Sequence, residues 1–122
     1  SSDPNARECA QFTQATEAVF DHYYAAAACR EANTEARQAY DDAIKRAWER
    51  RMTADEATLY AATLHYSALL RQSLYAEAKD VLDGMARHID DAVPKGVISR
   101  SRVDEFAETI ARSREQAGLG SP

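Results

Sequence analysis

Between Thr53 and Ile89, apolar or small side chains recur at Leu59, Thr63, Tyr66, Leu70, Leu74, Ala78, Val81, Met85 and Ile89, in steps of three or four residues. Only a helix brings such positions onto one face, because strand side chains alternate with period two. The spacing predicts one helix over 53–89 with a single wet face, roughly 55 Å long at about 1.5 Å per residue. One partner helix cannot cover that length, so other helices must line up along it. The fold class that follows is all-α: an antiparallel four-helix bundle with a long third helix.

The remaining segments agree with that frame. Asp3 before Pro4 is a helix start, since the carboxylate can accept from free N–H groups while proline needs no donor at the first helical position. Cys9, Phe12, Thr16, Val19, Phe20, Tyr23 and Ala27 then form one stripe. Asn33 and Thr34 can cap a second helix, with Ala36, Tyr40, Ala43, Ile44, Ala47 and Trp48 inward and Arg46, Arg50 and Arg51 in its last turns, where positive charge suits the helix dipole. Thr53 to Glu56 is a capping box. Gly84 can bend or end the long helix. Pro94 and Gly96 mark a loop, Ser101 and Asp104 resemble a cap, and Gly118 ends the last helix. The predicted helices span about 4–30, 34–52, 53–89 and 101–117, with a tail over 118–122, in a single helical domain covering 1–122. Alanine, the best helix former, makes up about a fifth of the chain.

The net charge of −5 opposes general binding to nucleic acid or to an anionic membrane, and it is compatible with a basic protein partner. No run approaches the ~18 to 20 apolar residues of a membrane span. The opening Ser-Ser-Asp-Pro-Asn lacks an initiator Met, which fits an exported or lipid-anchored protein of a bacterial envelope as well as a cytoplasmic one. Lysine occurs only at Lys45, Lys79 and Lys95, a usage expected of a GC-rich bacterial genome.

Few residues can carry chemistry. His22, His65 and His88 are candidate ligands for a non-covalent haem or a metal, assembled from separate helices. His88 falls on the core stripe of the long helix, and His22 and His65 lie on the flanks of theirs. No histidine stands in Glu-x-x-His, and HExxH and CxxCH are absent, so the diiron-carboxylate, zinc-hydrolase and covalent-haem patterns are missing. No metal or cofactor is therefore assigned. Glu77 falls on the apolar stripe, where a carboxylate is costly unless paired. Cys9 and Cys29, on one straight helix, would stand about 30 Å apart on nearly opposite faces. A disulfide needs Cα atoms within about 7 Å, so the spacing predicts free thiols or a bridge between two copies of the chain, which would make a homodimer.

The expected function is a non-catalytic helical interaction protein that binds another protein through a helix face, exported to the bacterial envelope. Two alternatives stand beside it: an acidic immunity protein or inhibitor covering a basic partner, and a haem or metal carrier. No nucleophile–base pair at helical spacing and no phosphate loop points to an enzyme.

Overall fold

The computed structural model describes residues 3–120. Within them the chain forms six α-helices: α1 (Pro4–Tyr23), α2 (Ala27–Ala32), α3 (Thr34–Glu49), α4 (Ala54–Arg71), α5 (Tyr75–Ala92) and α6 (Arg100–Gln116). None is long and apolar enough to cross a membrane. Side-chain contacts fix the directions. Phe12 meets Trp48 and Phe20 meets Tyr40, so α1 and α3 are antiparallel. Asn33 meets Gln72 and Arg46 meets Tyr60, which makes α3 and α4 antiparallel too. Tyr60 lies on Phe106 and Ser67 bonds Ser113, so α6 runs parallel to α4.

Helix α4 is the hub, packed against α1, α3, α5 and α6. Ala57, Ala62 and Thr63, roughly a third of a turn apart around its axis, are all fully buried. The buried arc is therefore wider than one stripe, and what stays open on this half of the 53–89 stretch is a strip of half-buried Tyr60, Leu64 and Ser67 with exposed Arg71.

The predicted long third helix is two helices, and the four-helix count becomes five long helices and one short one. The chain turns at Gln72–Leu74 because Ser73 takes the left-handed conformation, with φ +60°. Its N–H bonds the Leu70 carbonyl at 3.0 Å, and the Leu74 N–H bonds the Leu69 carbonyl at 2.9 Å. This is a Schellman cap with serine where glycine is usual. Arg51, at φ +57°, closes α3 in the same way, with Met52 bonding back to the Ala47 carbonyl. That cap stops α3 at Glu49 and not at the expected Met52. The Gln72 amide makes reciprocal hydrogen bonds of 3.1 Å with Asn33, which also caps α3 through the Ala36 N–H. Two turns at one end of the molecule are thereby tied together.

The predicted first helix also breaks, at Tyr24–Ala26. Tyr24 is extended, with φ −119° and ψ 118°, and its buried ring stacks on Phe20 at 4.4 Å. The cause is long-range. A Cβ on Gly84 would come within 2.6 Å of both the Tyr23 carbonyl oxygen and the Tyr24 ring, so the missing side chain admits the break. The freed Tyr23 carbonyl accepts from Arg87. Gly84 does not end its own helix, which continues to Ala92; it makes room for another.

The predicted capping box is present, with Thr53 Oγ1 accepting from the Glu56 N–H and Glu56 accepting from the Thr53 N–H. Asp3 caps α1 as predicted. The cap of α6 is Ser99, two residues before the expected Ser101, and it accepts from the Arg102 N–H. Of the predicted tail 118–122, residues 118–120 close α6: Gly118 has φ +75°, and the Leu119 N–H bonds the Arg114 carbonyl at 2.8 Å. The last two residues of that tail, and Ser1 and Ser2 of the opening, lie outside the described residues.

Candidate functional site

Because α5 and α6 both pack on α4 and barely on each other, they leave a groove between them. Its floor is Tyr66 and Leu70 of α4; its walls are Tyr75, Ala78 and Leu82 of α5 and Arg114 and Leu119 at the end of α6. The lining is predominantly apolar and the groove encloses about 530 Å³, within the range of pockets that hold ligands or side-chain clusters. Tyr75 is 47% exposed, the more open of two large exposed hydrophobic residues among those described, the other being Val97. Lys79 and Asp83 stand on the α5 side and pair with each other at 3.0 Å. The Arg114 guanidinium donates to the Tyr66 hydroxyl and to the Gly120 carbonyl, both at 3.0 Å. Leu119 reaches the groove only because the Gly118 cap folds the chain back. The groove escapes a helical-wheel reading, since Tyr66 and Leu70 sit on the same stripe as the true core.

The three candidate histidines do not converge. His65 is fully buried in the hub helix, its ring 5.8 Å from Phe20, and neither ring nitrogen has a partner. Burial lowers its pKa to about 4, helped by the nearby charge of Arg30. The wheel placed it on a flank of the core stripe; in α4 the buried arc extends past that flank and takes the ring in, and the open strip runs along Tyr60, Leu64, Ser67 and Arg71. His88 is also fully buried; its Nε2 lies 2.8 Å from Asp55 and its ring stacks under Tyr23 at 4.6 Å. Burial lowers its pKa, against the opposing pull of Asp55. His22 is exposed, edge-on to the same Tyr23. Among the described residues, no three His, Cys, Asp or Glu side chains cluster so as to hold a metal ion.

Cys9 and Cys29 are both half-buried and unbonded. The break at Tyr24 removes the straight helix that was expected to separate them, yet it does not join them. Cys29 faces Glu77 of α5, and burial, followed by that carboxylate, raises its thiol pKa. Glu77 sits in the first turn of α5, half-buried, where its charge favours the helix N-terminus.

Sequence reasoning passed over Arg30. Only 2% exposed, it lies between the Phe20 and Tyr40 rings, with its guanidinium carbon 4.3 and 4.4 Å from their centroids, and it reaches Glu17 at 2.7 Å. It is the one buried residue of the short α2. Burial raises the pKa of Tyr40 beside it, so the guanidinium sits between two uncharged aromatic rings. The space between them is filled by the chain itself and offers no access to a substrate.

Comparison with protein-family models, with curated proteins and with solved structures finds no match to this chain.

Proposed function

We propose that the chain is a non-catalytic interaction protein that receives an amphipathic helix of a partner protein in the groove between α5 and α6. The observation that carries this reading is the groove itself: two helix walls that scarcely touch, an apolar floor from the hub helix, and Tyr75 exposed at its mouth. A helix laid between two others on a third is the recurring way a bundle binds a partner, with anchors at every third or fourth residue. The buried histidines support the same reading. Each is committed to packing or to a neighbouring carboxylate, which leaves the surface as the place for function.

The test is selection from a display library of 16-residue helices. The wild-type chain is expected to recover helices with apolar residues at positions i, i+3 and i+7. Leu82→Lys, which puts a charge on the groove wall, should abolish recovery, while Val97→Lys, at the other exposed hydrophobic residue, should leave it unchanged. Recovery that survives Leu82→Lys contradicts the proposal. A second reading, an acidic inhibitor of a basic partner, is favoured by the net charge of −5. It predicts binding that weakens steeply with salt and ignores Leu82.

A further inference from the structure

We infer that the helix received by the groove carries one aspartate or glutamate, which pairs with Arg114. This rests on the groove being the docking surface, and it follows from how the chain disposes of its partly buried arginines. Among the described residues, four arginines are buried or half-buried: Arg30, Arg37, Arg102 and Arg114. Arg30 holds Glu17 and Glu31, Arg37 holds Glu31 and Asp41, and Arg102 holds Glu56 and Glu105. For Arg114 no carboxylate of the described residues lies within 4.0 Å; its partners are a hydroxyl and a carbonyl, both neutral. The other cation in the groove, Lys79, is already committed to Asp83.

The two neutral hydrogen bonds matter for geometry. Nε is fixed by Gly120 and Nη1 by Tyr66, so the guanidinium is held in place at the groove wall. Of its five donors, three remain. Those three are both hydrogens on Nη2 and one on Nη1, so the Nη2 edge of the guanidinium keeps donors for a carboxylate. A helix that covers the groove without supplying an anion removes water from this edge and leaves a cation unpaired, which is costly. The uncommitted charge thus selects among apolar helices, admitting those with an acid in register and rejecting those without. Because the whole chain is negative, an occupant rich in acids is repelled at long range. The matching occupant has a single acid among neutral or basic positions.

The helix-display selection tests this with a different readout. The wild-type chain should enrich one acidic residue at a fixed offset from the apolar anchors, and Arg114→Gln should keep the apolar anchors while losing the acid. Arg114→Lys should retain part of the acidic preference, since it keeps the charge but not the fork. A peptide recovered on the wild type and its Glu→Gln form, compared by fluorescence polarisation on the unaltered protein, should differ at least tenfold in affinity. That comparison does not depend on how well any variant folds. Enrichment of apolar helices with no acidic position, or equal binding of the Glu and Gln peptides, overturns the inference and leaves the groove reading standing. Failure to recover any helix that depends on Leu82 overturns both.

Discussion

His65 has no hydrogen-bond partner for either ring nitrogen and no exposure, so the fold holds it neutral, and acid works against it. Above pH 6.5 the ring is uncharged in folded and unfolded chains alike, and the stability it permits is fully present. As the pH falls from about 6.5 to about 4, the unfolded chain takes up a proton that the folded chain refuses, at a loss of about 3 kcal/mol. His65→Leu removes both buried nitrogens while filling similar space. Urea unfolding at pH 7 and pH 4.5 should show a smaller loss for His65→Leu than for wild type; parallel losses would mean that the ring is not buried neutral. Gly84 sets a second limit at this scale. Because a methyl there meets the Tyr23 carbonyl oxygen and the Tyr24 ring at 2.6 Å, Gly84→Ala should destabilise by about 1–3 kcal/mol, although alanine is the better helix former. A gain in stability would show that α1 does not break against α5 here.

The elements of the chain end mostly in one motif, and how that motif is written decides what can be read in advance. Gly118, at φ +75°, closes α6, and Gly96, at φ +74°, closes the turn after α5; both glycines mark ends in the sequence. Arg51 and Ser73 close α3 and α4 in the same conformation without that mark. The apolar spacing of 53–89 continues through Ser73 because both halves face a core, from opposite sides of a turn, and periodicity does not register a reversal of direction. The helix starts at Asp3, Asn33 and Thr53 were legible, since a side-chain cap is a local interaction spelled by adjacent residues. The break at Tyr24 was not, because its causes, Gly84 and Arg87, lie some sixty residues away. Substituting glycine at Ser73 separates a turn from a continuous helix by sign. In the left-handed cap, Ser73→Gly should stabilise by up to about 1 kcal/mol, whereas within an uninterrupted helix it would cost about the same. Thermal unfolding of this one variant decides between them.

At the scale of the whole molecule, a hub helix buried over most of its circumference leaves α5 and α6 placed by their packing on it and scarcely on each other. The α5–α6 groove is the result, joined at one end by the 93–99 loop and open at the other beside Tyr75 and Leu119. None of this was legible in the sequence, because Tyr66, Leu70 and Ala78 read there as ordinary core positions, Leu82 lay off the apolar stripe, and Leu119 read as tail. Leu82 is only half-buried, so Leu82→Lys should change unfolding free energy by no more than about 1 kcal/mol while removing helix binding, a separation that circular dichroism and fluorescence polarisation can measure on the same sample. The measurement that bears most directly on the groove is an amide-shift titration of the labelled protein with a helix recovered from the display library. The account predicts shifts concentrated at Leu70, Tyr75, Ala78, Leu82 and Leu119, with Phe12 and Trp48 on the α1–α3 side unmoved. Shifts centred on Phe12 and Trp48, with the groove silent, would contradict it.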